Sequence, residues 1–278
     1  MSLSSRLLEV KYIAEVEKLE SILHECQRLV VGYSGGVDST LLSYLAAKFL
    51  GDTNVTAVVA DSPSLARDEL SDALRVAADL GFAVKVVVTD EFSDDNYLQN
   101  DSLRCYYCKS SLMDSLEPVA KALDAVVALG VNLSDVSDYR PGQRAAMERG
   151  ARFPLLEAGI TKDMVRAIAN DFGVPNWDKP AAPCLSSRIP YGTPISIGLL
   201  GRVERAERYL RRRGLVHVRV RDFGQIAMVE VGEGESLGSK LDEIEVATEL
   251  RKIGYDFVSI SLEPLKSGSL NRVIKSQE

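Results

Sequence analysis

Histidine is nearly missing from this chain of 278 residues: only His24 and His217 occur, beside one tryptophan and four cysteines. A His-rich metal centre is excluded by supply, and nothing in the sequence pairs His217 with a nucleophile, so it is expected to be structural. Four cysteines in so long a chain do not make a disulfide scaffold, and Cys-x-x-Cys spacing points instead to metal or redox work. No apolar run approaches the roughly 18–20 residues that span a bilayer. Residues 1–20 mix Glu, Lys, Arg and Leu at helical spacing without a signal-peptide cleavage pattern. A cytoplasmic protein with no membrane partner is expected. Basic excess is lacking too: 33 Lys and Arg against 40 Asp and Glu leave a net charge of −7, which argues against a general nucleic-acid binder. From Ile195 onward 14 Lys and Arg face 13 Asp and Glu, against 19 and 27 before it.

What is present describes a globular protein. Hydrophobic residues make up 46% and charged residues 26%, enough for a real core. An amphipathic helix over 5–27 leads in. Short apolar runs at 28–33, 55–60, 83–88 and 125–129 read as buried strands, with helices over 40–50 and 68–80 between them, the second closed by Gly81. Strands alternating with helices give a doubly wound parallel sheet, the α/β class, whose ligands sit beyond the carboxyl ends of the strands. Ser34, Asp61 and Gly130 fall there. Residues 170–193, rich in Pro, Asn, Asp and Gly, form a linker and active-site loop region. Beyond it, helix 197–213, strands 216–221 and 226–231, helix 237–253 and strand 257–262 make a smaller α+β domain. The expected division is 1–192 and 193–278.

The sharpest local signal is Ser34-Gly35-Gly36-Val37-Asp38-Ser39-Thr40, placed where a strand hands over to a helix. Gly35 and Gly36 let backbone N–H groups turn toward phosphate oxygens, and the helix offers its positive end to the anion. Ser34, Ser39 and Thr40 add hydroxyls. Asp38 either holds the Mg²⁺ that accompanies a nucleoside triphosphate or caps the helix. The lysine that follows the glycines of a Walker loop is missing. This signature resembles the PP-loop ATP pyrophosphatases, and the resemblance implies attack of a substrate oxygen on the α-phosphate of ATP, with pyrophosphate released and an adenylate left.

Cys105-Tyr-Tyr-Cys108-Lys109 is the second signal. Two thiols at this spacing hold a metal or cluster, or form a redox pair, and Arg104 and Lys109 favour their thiolates. Cys184 lies in the Pro-rich loop Pro183-Cys-Leu-Ser-Ser-Arg188. Structural zinc would need Cys26 as its fourth ligand, yet Cys26 falls within the leading helix and reads as a buried apolar residue. A disulfide leaves Cys184 idle. A [4Fe–4S] cluster on Cys105, Cys108 and Cys184, with one iron open, uses all three thiols.

Arg104–Lys109, Asp138-Tyr-Arg-Pro-Gly142, Trp177-Asp-Lys-Pro180 and Pro183–Gly192 resemble the LarE family, and with the PP-loop the likeness covers nearly the whole chain. The resemblance implies an ATP-dependent sulfur transferase of nickel-pincer nucleotide synthesis, the cofactor of lactate racemase. Such enzymes adenylate a carboxylate of pyridinium-3,5-biscarboxylic acid mononucleotide and replace it with a thiocarboxylate. One branch sacrifices the sulfur of the cysteine at the Cys184 position. A three-cysteine branch, the pattern here, uses a [4Fe–4S] cluster fed by sulfide or a sulfur donor protein. The likeness also implies that Arg219 and Arg221 of Val-Arg-Val-Arg hold the substrate phosphate and that Glu207 lies near the site as a weaker metal ligand. It implies a trimer-based homo-oligomer as well. Asp61, Asp138 and Arg140 are expected beside the nucleotide, although Asp138 and Arg140 also suit a local ion pair. Arg202, Arg205, Arg208 and Arg212 read as a solvated helix face paired with Glu204 and Glu207.

Three other readings stay open, one of them a non-catalytic nucleotide sensor that binds ATP without turnover. A tRNA thiolase shares the three-cysteine logic but is opposed by the acidic charge. An ATP-dependent synthetase using ammonia would need no cysteine at all.

Overall fold

The computed structural model describes residues 11–137, 141–235, 237–266 and 268–271. It divides into two compact units. The first comprises the residues up to Ser62, Arg67–Ser93 and Cys105–Ala182, and the second Pro63–Ala66, Asp94–Arg104 and the chain from Pro183 on. Among the described residues no helix is long and apolar enough to cross a membrane.

The first unit is built on four parallel strands, β1 (Leu29–Gly32), β2 (Val55–Asp61), β3 (Val84–Val88) and β4 (Val126–Leu129), in the order β3-β2-β1-β4. Helix α1 (Ile13–Cys26) precedes β1, α2 (Val37–Leu50) joins β1 to β2, and α3 (Arg67–Leu80) joins β2 to β3. The long helix α4 (Arg104–Leu123) runs into β4, followed by α5 (Pro141–Glu148) and α6 (Lys162–Asp171). Successive strand residues point to opposite faces. Val30, Val58, Val127 and Leu129 pack with Met113, Leu116 and Ala120 of α4. Leu29, Val31, Ala57 and Val59 are also buried, so both faces are covered, as in a doubly wound sheet. Gly32 pairs with Val58 and Leu129 at the carboxyl end, which places the loop after β1 at the point where the strand order reverses.

Helix α2 begins at Val37, three residues before the expected start. Gly36 is its extended N-cap, with φ −78° and ψ 158°, so the motif itself forms the first turn. The helix over 104–123 is not among the elements expected from the sequence, although Met113, Leu116, Val119 and Ala120 are buried along one of its faces.

The second unit carries α7 (Ile197–Arg212), β5 (Val218–Phe223), β6 (Ile226–Val231), α8 (Glu243–Ile253) and β7 (Phe257–Ile260). Its sheet runs β5-β6-β7, antiparallel then parallel. Helix α7, capped by the Ser196 hydroxyl, buries Ala206 and Leu210 against Val218, Val220 and Val229. The expected helix over 237–253 is two pieces, because the Asp242 carboxylate accepts from Ile244 N and Glu245 N and starts α8 afresh.

Candidate functional site

The loop after β1 is shaped from within. Gly35 sits at φ +70°, and a β-carbon there would lie 2.6 Å from the Ala73 β-carbon, so glycine is required twice over. Ser34 N donates to Ser39 Oγ at 3.1 Å, while Ser39 Oγ and Thr40 Oγ1 donate to Gly36 O at 3.1 and 2.9 Å. These hydroxyls thus brace the loop. First-turn N–H groups have no partner inside a helix and face an arriving anion. Gly130, after β4, packs so closely that a β-carbon would meet Ser39 N at 2.7 Å and Asp38 C at 3.0 Å.

Asp38 lies in the first turn of α2 rather than at its cap. Its Oδ1 accepts from Asn132 Nδ2 at 2.9 Å and its Oδ2 from Lys162 Nζ at 2.5 Å. Asn132 is 1% exposed. Asn176 Nδ2 donates to Gly35 O at 3.0 Å and to Thr40 Oγ1 at 3.1 Å, fixing the other side of the loop. Asp61, at the end of β2, pairs with Arg67 at 2.5 Å, and Ser62 donates to the buried carboxylate of Glu91. Sequence reasoning missed Asn132, Lys162, Asn176 and Arg67. Only Asn132 carried a usable signal, being an amide just beyond a strand's carboxyl end.

Cys105 and Cys108 occupy the first turns of α4, three residues apart and so on one face of the helix. Cys105 is exposed and Cys108 half-buried. Gly142 of α5 lies under them, where a β-carbon would come within 2.9 Å of Cys105 O. Tyr106 donates to Glu148 at 2.7 Å. Asp138 and Arg140 lie outside the described residues. Cys26 is buried in α1, and burial pushes its thiol above its ordinary pKa. Among the described residues no three His, Cys, Asp or Glu side chains gather into a ready metal-holding group.

Cys184 belongs to the second unit and is half-buried. Arg188 shapes its loop by donating to Pro183 O at 2.5 Å and Cys184 O at 3.1 Å. Arg188 is held in turn by Glu207, which has no exposed surface. Arg188 Nε and Val220 N donate to Glu207 Oε1, and Arg188 Nη2 and Arg211 Nη2 to Oε2. Burial alone would raise this carboxyl's pKa, but the two arginines and the Val220 N–H outweigh it and hold it below the ordinary value. Two guanidinium groups thus stand where the sequence reading had set a metal ion beside Glu207.

Arg219 and Arg221 alternate on β5 and point the same way. Arg221 pairs with Glu230 at 2.8 Å and donates to Ser187 O and Ser269 Oγ. Arg219 is 6% exposed and, among the described residues, its side chain donates to Lys266 O at 3.3 Å. Burial first, then the neighbouring charges of Arg188 and Arg221, pull its pKa down to about 10. Both arginines line a pocket with Arg104, Ser187, Tyr191 and Ser269. A buried, under-neutralised guanidinium in such a pocket is a site for an anion.

A family model described as NAD synthase matches residues 12–100. An uncharacterized Synechocystis protein is 44% identical over 94% of this chain and 98% of its own length. The pyridinium-3,5-bisthiocarboxylic acid mononucleotide synthase of Lactiplantibacillus plantarum is 37% identical, over 91% of this chain and 92% of its own. An uncharacterized Methanocaldococcus jannaschii protein is 28% identical over 92% of this chain and 99% of its own.

Proposed function

The chain belongs to the LarE-type family of PP-loop proteins and is an enzyme that uses ATP; from that premise we propose that it adenylates a carboxylate of pyridinium-3,5-biscarboxylic acid mononucleotide and converts it to a thiocarboxylate. The near-full-length match to a synthase of the bisthiocarboxylic acid carries this reading. In the first step a carboxylate oxygen attacks the α-phosphorus of ATP and the bond to the β-phosphate oxygen breaks, releasing pyrophosphate. A sulfur nucleophile then attacks the acyl carbon of the adenylate, and the bond to the AMP oxygen breaks.

Residues 34–40 and Asp61 hold the nucleotide, with Ser34, Gly35, Gly36, Ser39 and Thr40 shaping the phosphate loop. Preorganised N–H donors there stabilise charge building on the phosphates, usually the largest catalytic term. Asp38, half-buried in the first turn after the loop, suits Mg²⁺, a hard cation that takes carboxylate oxygen. Asp138 and Arg140 complete the nucleotide site. Arg219 and Arg221 receive the phosphate of the substrate mononucleotide, whose charge would offset the like charges of Arg188 and Arg221 around the buried Arg219.

Sulfur enters at Cys105, Cys108 and Cys184. The donor set fits a [4Fe–4S] cluster in chemistry: three solvent-reachable thiols, two of them on one helical face. Three thiolates would leave one iron without a protein ligand and open to sulfide. In the other route the Cys184 thiolate displaces AMP to form a thioester, and loss of its α-proton with cleavage of the Cβ–S bond leaves the thiocarboxylate and dehydroalanine. Sulfide or a donor protein replenishes the first route only. A cytoplasmic, trimer-based homo-oligomer completes the reading.

Incubation with Mg·ATP, the pyridinium dicarboxylate mononucleotide and sulfide under anaerobic conditions tests it. Pyrophosphate release that depends on the mononucleotide, with the mass gain of an oxygen-to-sulfur exchange, is expected. Pyrophosphate release driven by ammonia or tRNA instead would replace the reading. About four irons per reconstituted chain, lost on Ala substitution of any of the three cysteines, is expected for the cluster. No iron, with only Cys184 needed for a single turnover, would select the sacrificial route.

A further inference from the structure

We propose that Arg104 is a positioning residue for the Cys184 loop and that, because it also lines the pocket of Arg219 and Arg221, an anion bound in that pocket restrains Cys184 through it. The inference rests on the reading of that pocket as the seat of the substrate phosphate. The residues involved all belong to the second unit. Four of the five carbonyls from Pro183 to Ser187 accept from guanidinium groups: Arg188 Nη1 donates to Pro183 O and Cys184 O, Arg104 Nη1 to Ser186 O at 2.9 Å, and Arg221 Nη1 to Ser187 O at 2.7 Å. A loop whose backbone acceptors are met by side chains answers to whatever else those side chains hold. Two of the three arginines, Arg104 and Arg221, line the pocket, as do Pro183 and Ser187 on either side of Cys184.

Arg104 owes its place to this loop rather than to its helix. It is the first residue of α4, where the helix dipole disfavours a cation. It stands next to Cys105 in the sequence, yet it is buried and its Nη1 is shared between Ser186 O and Asn100 Oδ1, the latter at 2.6 Å. Asn100 is itself fully buried, at φ +56°, and donates to Pro190 O and Thr193 O at 2.8 and 2.9 Å. The far end of the same loop is thereby tied to the same arginine. Tyr97 closes the frame through a 2.7 Å bond with Ser186 Oγ, and the Arg104 guanidinium lies over the Tyr191 ring, 5.2 Å from its centroid. A phosphate in the pocket sets a dianion before Arg104, Arg219 and Arg221. Charge-assisted bonds to it fix the guanidinium planes, and with them Ser186 O and Ser187 O, two and three residues after Cys184. The half-buried Cys184 then meets an outside reagent only through rarer opening of its loop. Seating of the substrate phosphate and presentation of the thiol are joined by this frame.

Alkylation of Cys184 by iodoacetamide, a neutral reagent, reads the coupling without turnover. The full chain is treated before any iron is added, in inorganic phosphate or in chloride of equal ionic strength, and the Cys184 peptide is followed by mass spectrometry. Saturating phosphate is expected to slow the wild-type reaction about 10-fold, the worth of one charge-assisted hydrogen bond. Arg219→Gln is expected to lose this protection, because the pocket no longer holds phosphate. Arg104→Met is expected to react faster than wild type without phosphate and to gain no protection at saturating phosphate. Arg104→Lys, which keeps a charge and a donor but not the planar fork, is expected to recover part of it. Should Arg104→Met fail to fold, Arg104→Gln carries the same test. Bound phosphate, seen by calorimetry, that leaves the wild-type rate unchanged overturns the proposal. So does full protection in Arg104→Met, which would mean that phosphate shields the thiol directly. A wild-type protein whose phosphate binding does not depend on Arg219 would instead overturn the anion reading of the pocket.

Discussion

Glu207→Gln isolates a buried charge at the base of the Cys184 loop, and the structure sets its cost. Both carboxylate oxygens accept two hydrogen bonds: Arg188 Nε and Val220 N at 2.8 and 3.1 Å on one, Arg188 Nη2 and Arg211 Nη2 at 3.0 and 2.7 Å on the other. All four partners are donors. Whichever way the glutamine amide turns, its NH₂ faces two of them, and Arg188, 4% exposed, loses the carboxylate that both its Nε and Nη2 donate to. Breaking a buried pair by removing one partner costs ~3–5 kcal/mol, a fall of roughly 2 M in urea midpoint at a slope near 2 kcal/mol/M. Because the carboxyl's folded pKa lies below its ordinary value, the native state binds fewer protons than the unfolded one. Its contribution is thus complete above the ordinary pKa of 4.5 and lost as pH falls through the folded value. Urea melts of wild type and variant between pH 3 and 7 check both points: the gap is expected to be widest at pH 7 and to narrow in acid. A gap under about 1 kcal/mol, or one constant with pH, would refute the assigned role. Sulfur transfer should fall as well, since Arg188 shapes the Cys184 loop through Pro183 O and Cys184 O.

The two loop glycines should behave differently. Gly35→Ala meets both a positive φ and Ala73 and is expected to lower thermal stability by ~1–3 kcal/mol, whereas Gly36→Ala, at φ −78° with only Ser34 Oγ nearby at 3.4 Å, keeps stability and loses ATP affinity, read by melting and calorimetry. Gly130→Ala drives a β-carbon into the Ser39 backbone, so both quantities should fall. Asn176→Asp sets a carboxylate against Gly35 O in place of a donor and should cost ~1–3 kcal/mol along with ATP binding. Arg219→Gln removes a charge that burial and its arginine neighbours disfavour. A base with a depressed folded pKa destabilises the fold below that pKa, so the variant is expected to melt higher at pH 7, while binding of the mononucleotide substrate weakens; a lower melting point would contradict the electrostatic account.

Much of the first unit was legible because its signals are local. Apolar runs of four to seven residues between turn formers can only be buried strands in a chain of this composition, and Gly35 after β1, at φ +70°, needs a conformation that few other residues adopt. The start of α2 was misplaced by three residues because Gly36 caps it without a side chain, leaving no Ser, Thr or Asp to mark the boundary. The break before α8 could have been read, since Asp242 followed two residues later by an amide it caps is a standard start signal. Asn132, Lys162 and Asn176 were not legible in this way. Their partners in the loop lie 94, 124 and 141 residues off, and no period or spacing encodes a contact of that range.

Counter-charge recurs in what sequence reasoning missed. Asp38 was read as a magnesium ligand or a cap and is found on Lys162; Asp61 is on Arg67; Glu207 is on Arg188 and Arg211; Arg221 is on Glu230. A chain with seven more acids than bases spends its cations on these carboxylates, so charged side chains of both units stand neutralised before any ligand arrives. A ligand ion that binds at one of these pairs would have to exchange with the partner, which costs less desolvation than creating a new buried pair. Arg219 departs from the pattern: it has no ion pair among the described residues, sits beside two other guanidinium groups, and is depressed in pKa as a result. An anion arriving there relieves repulsion instead of displacing a partner. Of the arginines on β5, Arg219 is therefore the one whose charge should decide substrate affinity, with Arg221 setting orientation from within its bonds to Glu230 and Ser187.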